Sequence, residues 1–320
     1  MNEEQKERES DQAKGPASTS DASQTEARKS EPGNGPSVTH ANQLRGERFK
    51  ALIRRPVAWI LITVFALLPL IGFAAAGIAA VGVVACVIVV LIGLLVVFLI
   101  ADNQAEDAFY VAYCSSHGVT RVPNPDLGRV TPLLRKGDKR RTDEIFHGEL
   151  ADGMVGDLAL FTYTVESRDS DGDKTETDYP FTVVHVEMPE VVPHLAELRV
   201  QNKVGFKFLE GFEDSFRRKH QRVTLESEAM RDRYEIFVLK EQDAVWVRRL
   251  FSPSFIVWLS ETPPKKFAFE LEDGHLIAYV PKHKEDVEGF EEVTRVGTYV
   301  ARRLLEESAD TSPMADRETT

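Results

Sequence analysis

The sequence lacks most of the residues and motifs that mark known chemistry. It has only two cysteines, Cys86 and Cys114, and they form no CxxC pair. This excludes a disulfide framework and is compatible with the reducing cytoplasm. The sequence also lacks a GxxxxGK(S/T) or GxGxxG phosphate-binding loop, an HExxH motif and a G-x-S-x-G elbow. The common nucleotide-binding, metalloprotease and hydrolase signatures are therefore absent.

The eight histidines are scattered and show no metal-ligand spacing. His185, inside the apolar strand Val183–Val186, is the most conspicuous of them, and we interpret it as a satisfied, partly buried histidine rather than a catalytic base. We therefore predict no catalytic residue, no cofactor and no metal ligand. Because enzymes also assemble sites from residues distant in sequence, the missing motifs leave an unrecognised active site open.

Charged residues are missing from one long stretch. Between Arg55 and Asp102 there is no ionisable side chain except Cys86, although 28% of the residues in the chain are charged. A helix rises about 1.5 Å per residue and a bilayer core is about 30 Å thick, so this stretch suits two crossings. A cleaved signal peptide is the alternative, but its apolar core is shorter and lies nearer the N-terminus.

We predict a transmembrane hairpin within Pro56–Ala101, with helices at 57–75 and 79–101. The chain would reverse at Gly72–Gly77, because glycine has the backbone freedom that a tight turn needs. Pro69 would kink the first helix shortly before this turn. Four small residues would let the two helices pack closely, unless they only reflect the usual composition of membrane helices: Gly82, Ala85, Cys86 and Gly93.

The flanks of the apolar stretch predict its orientation. The N-terminal flank has one acid, Glu47, and five basic residues: Arg45, Arg48, Lys50, Arg54 and Arg55. Because flanks rich in Lys and Arg stay inside, we predict a cytoplasmic N-terminus. Two spans return the rest of the chain to the same side. The sequence thus predicts a multi-pass protein of the cell membrane with both termini in the cytoplasm.

The remaining residues divide by composition. Residues 1–44 contain no aromatic residue and are rich in Glu, Ser, Gln, Lys, Gly and Pro, which predicts a disordered arm, and 308–320 predicts a similar tail. We expect a juxtamembrane helix and loop at 103–143 and a cytoplasmic α+β domain at 144–307. In 102–320 acidic residues outnumber basic ones by 13, which argues against broad nucleic-acid binding.

Alternating apolar residues predict the strands of the domain. Asp157–Val165 and Tyr179–Met188 are two long strands, joined by a polar hairpin tip at Ser167–Asp178. The clearest hairpin is Lys266–Val280, where apolar residues alternate on both sides of Asp273-Gly274. An Asp-Gly pair in this setting is the strongest short hairpin signal.

The first hairpin tip resembles the start of a calcium loop, with Asp169, Asp171 and Asp173. Such a loop needs Gly at its sixth position and a bidentate Glu at its twelfth. Here these positions are Lys174 and Pro180. We therefore interpret the tip as a solvated acidic turn.

Four further segments have helical or mixed patterns. Arg222–Leu239 suggests strand, short helix and strand, and Glu241–Phe251 is an amphipathic helix. Ser252-Pro253 has the residue types of an N-cap and a first helical position, so a second helix begins there. A final helix at about Lys284–Glu307 carries an apolar stripe, which packs on the domain or, alternatively, binds a partner. Trp246 and Trp258 are predicted to pack in the core or an interface rather than form a ligand cage.

The segment Arg135–Arg141 is strongly basic, with five basic residues and one acid. Its closeness to the apolar stretch makes contact with anionic lipid one interpretation. A solvated loop after Pro132 is the interpretation we prefer.

From Pro132 to about Val280 the layout is similar to an uncharacterised family of bacterial membrane-anchored proteins. The stretches that carry the resemblance are Phe146-His147-Gly148, Phe161-Thr162-Tyr163-Thr164, Leu225-Glu226-Ser227, Arg233-Tyr234-Glu235-Ile236, Phe251-Ser252-Pro253 and Asp273-Gly274. The resemblance implies two N-terminal transmembrane helices and a cytoplasmic α+β domain of unknown function. It covers about half of the chain and supplies no catalytic residues.

These observations favour a membrane-tethered interaction module without a catalytic site. Its partners would be the lipid bilayer and an unidentified protein at the cytoplasmic face, with no nucleic acid and no metal. A membrane-bound enzyme with an unrecognised site and a lipid or ligand sensor are the alternatives.

Overall fold

The structure is a computed structural model that describes residues 62–68, 71, 79–151, 153–168, 172–203 and 219–311. Several predictions concern residues outside these ranges: the N-terminal arm, the reversal at Gly72–Gly77, the acids Asp169 and Asp171, and the end of the tail beyond residue 311. The following paragraphs concern the described residues.

Helices and strands alternate irregularly along the chain, as expected for an α+β protein. The helices are α1 (Ala79–His117), α2 (Glu228–Arg233), α3 (Ala244–Leu250), α4 (Pro253–Glu261) and α5 (Val287–Thr311). The strands are β1 (Thr120–Arg121), β2 (Lys139–Glu149), β3 (Val155–Arg168), β4 (Lys174–Glu187), β5 (Glu197–Asn202), β6 (His220–Val223), β7 (Tyr234–Leu239), β8 (Ala268–Glu272) and β9 (His275–Pro281), with a 3-10 turn at Pro189–Val191.

The described strands form one nine-stranded sheet in the order β1-β2-β3-β4-β9-β8-β5-β7-β6. Each strand runs antiparallel to its neighbours. The helices pack on one face of this sheet, which confirms the predicted α+β class. The β8–β9 hairpin is confirmed as well: Glu272 pairs with His275, and Asp273 and Gly274 both have positive φ angles of 48° and 80°.

The β3–β4 hairpin is longer than the alternation predicted. Pairing continues from Asp157 and His185 as far as Arg168 and Lys174, so polar residues assigned to the tip belong to the ladder. Backbone hydrogen bonds do not depend on side-chain polarity, and the apolar pattern therefore marked only the buried half of the hairpin.

Helix α1 is one continuous helix of 39 residues, about 58 Å long. It joins the predicted span at 79–101 to the predicted juxtamembrane helix, and Gly118, with φ of 67°, follows its last residue as expected. Among the described residues it is the one helix long and apolar enough to cross a membrane, and none of its most apolar window is buried in the protein. A core helix of a soluble domain would be buried along this window.

The short helical segment at 62–68 lies against α1. A Cβ atom on Gly93 would come within 2.9 Å of the Ile62 side chain. The absence of a side chain at Gly93 therefore lets the two segments approach closely.

The larger hydrophobic core lies between the helices and the sheet. Its α5 contribution is the stripe predicted from the sequence, namely Phe290, Val293, Val296, Val300 and Leu304. Helix α5 lies so close to β4 that a Cβ on Gly297 would be 2.9 Å from the Cβ of Val184. The stripe is thus covered by the domain itself rather than left for a partner. The helix continues to Thr311, four residues beyond its expected end.

The other core lies on the opposite face of the sheet, beneath the loop between β1 and β2. Leu127, Leu133 and Leu134 from this loop pack with Phe161 and Tyr279 of the strands. Residues assigned to a connecting segment at 103–143 are therefore part of the domain core. Local sequence patterns did not indicate this, because the loop has no regular period.

Most of the basic segment Arg135–Arg141 is held in ion pairs and hydrogen bonds. Arg135 pairs with Glu272, and Arg141 lies 2.9 Å from Asp143 and 3.2 Å from Asp178. Lys139 lies within 2.8 Å of two glutamates, and Lys136 is buried. These acids neutralise the segment, which weakens the interpretation that it binds anionic lipid. The preferred interpretation of a solvated loop is wrong in part, because Lys136 is buried and Lys139–Arg141 belong to β2.

Candidate functional site

A cluster of ionisable side chains lies on the helix-free face of the sheet, at one end of its central strands. Its members are His147 (β2), Asp157 (β3), His185 and Glu187 (β4) and His275 (β9). The register pairs His147 with Asp157, Asp157 with His185, and Glu187 with His275. Because directly paired residues point to the same face of a sheet, all five side chains project from one surface.

Asp157 is the centre of a hydrogen-bond chain through three histidines. Its Oδ1 lies 2.7 Å from His147 Nδ1, and its Oδ2 lies 3.0 Å from His185 Nδ1. On the far side of the His185 ring, Nε2 lies 3.2 Å from His275 Nδ1. The rings of His185 and His275 are stacked, with centroids 5.4 Å apart.

The carboxylate of Asp157 accepts hydrogen bonds from His185 and His147. Burial alone would raise the pKa of Asp157, but the hydrogen bonds from His185 and His147 outweigh burial and hold this pKa below its usual value. The ionised carboxylate can only accept, so His185 donates through Nδ1–H. The other ring nitrogen of His185, Nε2, faces His275.

The cluster passes from the protein interior to the surface. The His185 side chain is 9% exposed and that of Asp157 is 20% exposed, whereas Glu187 is on the surface and His275 is intermediate. The ligand atoms of His185, Glu187 and His275 all lie within 4.8 Å of one another. Two imidazoles and a carboxylate at this spacing are a recognised type of metal-ligand set.

The sequence did not reveal this cluster. His185 is confirmed as buried and hydrogen-bonded, as predicted, but its neighbour His275 lies 90 residues further along the chain. His185 and His275 each lie within a predicted strand or hairpin, and the alternation gives the face of each strand. Nothing local, however, indicated that β4 pairs with β9, and the ligand spacing exists only in the folded sheet.

A second polar group lies under the β1–β2 loop, on the same face of the sheet. Glu270 is 2% exposed and accepts a hydrogen bond from the backbone N–H of Leu133 at 2.6 Å. Burial raises the pKa of Glu270, against the attraction of Arg199. This group holds the loop on the sheet, and its burial gives it a structural role rather than access to a substrate.

The two tryptophans considered in the sequence are packing residues. Trp246 is 3% exposed in the main core. Trp258 stacks on Tyr299 with centroids 4.1 Å apart. Both side chains pack against other residues of the domain, in agreement with the prediction.

Comparison with known proteins gives little further information. No protein-family model and no curated protein matches the chain. Among solved structures, the mycobacterial trehalose monomycolate transport factor A, TtfA, is similar at a TM-score of 0.37 and 11% identity, over 64% of this chain and 96% of that chain. Similarity of this extent does not indicate a shared function, and the resemblance to the uncharacterised bacterial family stays a prediction.

Proposed function

We propose that this chain is a membrane-anchored interaction module of the uncharacterised bacterial family described above, with its α+β domain held at the cytoplasmic face of the cell membrane. The observation that carries this proposal is the continuity of α1. One helix has an exposed apolar half and a half that is built into the domain core, so the anchor and the domain form a single unit.

The two halves of α1 differ sharply in their surroundings. The first half exposes a row of large apolar side chains: Val81, Val83, Val84, Val87, Ile88, Leu91, Ile92, Leu95, Val96, Phe98, Leu99 and Ile100. The second half buries Ala101 and Ala105, and its Phe109 and Tyr113 pack in the core with Phe146 of the sheet and Phe290 of α5. Residues 80–100 span about 30 Å, the thickness of a bilayer core. The domain would begin directly at the membrane surface.

The proposed anchor includes a second span at 57–75, antiparallel to α1. The close approach of Ile62 to Gly93 supports this pairing. With two spans and a basic N-terminal flank, both termini lie in the cytoplasm. A protein partner for the domain would then be found at that face.

Topology reporters provide the first test. Alkaline phosphatase fused after Thr320 is expected to be inactive and green fluorescent protein at the same position fluorescent, because both report a cytoplasmic C-terminus. The matched control is the same pair of reporters fused after Gly77, between the spans, where the opposite pattern is expected. Active phosphatase after Thr320 would overturn the cytoplasmic location of the C-terminus and of the domain.

Crosslinking and mass spectrometry in native membranes test the interaction itself. We expect lysines of the domain to form crosslinks with a recurring protein partner, and the same crosslinks after the apolar hairpin is exchanged for an unrelated one. Loss of the partner on exchange would favour a sensor that responds to the bilayer. Absence of any recurring crosslinked protein would contradict the interaction module.

A membrane-bound enzyme is the second candidate, and the cluster around His185 is the observation that favours it. Acid–base catalysis commonly uses a histidine whose ring is oriented by a carboxylate, as Asp157 orients His185. If His185→Ala leaves the crosslinked partners unchanged but causes the same defect in cells as loss of the whole protein, the enzyme is the better explanation.

A further inference from the structure

We propose that His185, Glu187 and His275 bind one divalent transition-metal ion, with Zn²⁺ as the best match. The inference depends on the geometry of the β4–β9 ladder and is independent of membrane topology and of any protein partner. It also goes beyond the sequence, from which no metal ligand was predicted.

The chemistry of the three ligands selects the class of metal. Imidazole nitrogens together with one carboxylate suit Zn²⁺ and related first-row ions, whereas Mg²⁺ and Ca²⁺ prefer sites made of oxygen atoms. Three protein ligands also leave a position for water or a small ligand on a four-coordinate ion. The two cysteines are not part of the cluster, so the site would contain no thiolate.

The distance between the histidines fits a shared ion. Two nitrogen ligands at about 2.1 Å from a tetrahedral zinc ion lie about 3.4 Å apart. His185 Nε2 and His275 Nδ1 are 3.2 Å apart. Their strands are joined by a continuous register from Thr182–Val280 to Glu187–His275, which holds the two rings in place.

Asp157 supplies the supporting interaction that metal-binding histidines usually have. A carboxylate bonded to the remote ring nitrogen fixes the tautomer, orients the ring and makes the ligating nitrogen more basic. Asp157 bonds to His185 Nδ1 in this way and leaves Nε2 for the ion. His147 bonds to the other oxygen of Asp157 and so restrains the carboxylate in turn.

Glu187 completes the set from the surface. It lies directly opposite His275 in the ladder, and its exposed side chain can rotate toward the two imidazoles without disturbing the core. A metal-free alternative exists, because the same 3.2 Å separation suits one N–H···N hydrogen bond between the rings. The two alternatives differ in whether the purified protein binds metal stoichiometrically.

The test uses the full chain in detergent, purified with a tag that contains no histidine. Titration with Co²⁺, which replaces Zn²⁺ and has visible absorption bands, is expected to saturate at one equivalent. Added Zn²⁺ should abolish these bands, and no thiolate-to-cobalt band should appear in the near ultraviolet. Absence of a saturable signal, or a signal with thiolate character, would overturn the proposal.

Variants locate the ion. His275→Ala and Glu187→Gln are expected to weaken Co²⁺ binding at least 100-fold, and Asp157→Asn by about 10- to 100-fold. The matched control is His117→Ala, which removes a histidine from a separate surface pair with Glu291 at 3.1 Å and should bind like the wild type. Circular dichroism confirms that each variant is folded. If His275→Ala unfolds, Glu187→Gln still tests the site, because Glu187 is exposed. Unchanged binding in both ligand variants would place any ion elsewhere and refute the site.

Discussion

Replacing Phe290 by alanine is expected to lower the free energy of unfolding of the domain by about 3–5 kcal/mol, the usual cost of removing a fully buried phenylalanine ring. The Phe290 side chain is fully buried, and its ring centroid lies 5.7 Å from Phe109, 5.0 Å from Tyr113 and 5.7 Å from Phe146. These rings come from α1, β2 and α5. The cavity would therefore open where α1 joins the sheet and α5.

Urea unfolding of the full chain in detergent, followed by tryptophan fluorescence, measures this loss. The control is Tyr299→Ala on the same helix, where the ring is 36% exposed and stacks on Trp258. It should cost about 0.5–1.5 kcal/mol, the range for an aromatic pair. Equal losses in the two variants would mean that the ring cluster at the junction contributes no more than surface packing.

The second large effect is expected at Lys136, whose side chain is buried under the β1–β2 loop. Burial lowers the pKa of Lys136 to about 7. The charge of Arg199 lowers this pKa further, whereas the nearby Glu270 raises it. Its ammonium group lies 5.5 Å from the centre of the Tyr163 ring. Lys136→Met should keep the packing of the aliphatic chain and remove the cost of burying the charge.

The sign of the pH dependence follows from the lowered pKa. The unfolded chain holds the Lys136 proton up to about pH 10.4, whereas the folded chain releases it from about pH 7 upward. Between these values the unfolded state binds more protons, so stability rises with pH. We expect Lys136→Met to be more stable than the wild type by about 2–4 kcal/mol at pH 6, with a difference that disappears toward pH 10.

Unfolding at pH 6, 8 and 10 in the same detergent tests this expectation. Lys139→Met is the control, because Lys139 lies in the same basic segment but on the surface, paired with Glu166 and Glu176. It should not stabilise the domain at any of the three pH values. A Lys136→Met variant that is destabilised at pH 6 would show that the charge of Lys136 contributes more through Glu270 and Tyr163 than its burial costs.

Features with a local cause could be predicted from the sequence. The β8–β9 turn needs two residues with positive φ angles, and Asp273-Gly274 provides them. Ser252 and Pro253 occupy the N-cap and first positions of α4, as expected, although the Ser252 side chain makes no capping hydrogen bond. The apolar stripe of α5 predicted both a helix and its buried face. Each of these depends on a few neighbouring residues.

Features that depend on distant partners could not be predicted. The segment Arg135–Arg141 has a basic sequence but a largely neutral environment, because Glu272, Glu166 and Asp178 approach it from other strands. The loop before this segment is buried because Leu133 and Leu134 pack against apolar residues on the helix-free face of the sheet. Neither the neutral environment nor the burial of the loop can be predicted from a sequence window of about ten or twenty residues.

The sequence by itself was therefore enough to predict three features: a long apolar stretch, the α+β class of the domain, and which face of a strand each side chain lies on. These follow from hydrophobic periodicity and turn chemistry, which act over short distances. Only the tertiary structure decided that β4 pairs with β9 and that His185, Glu187 and His275 meet beside Asp157. Strand order is set by the burial of both sheet faces at once, a property of the whole chain, and the proposed metal site depends on that order.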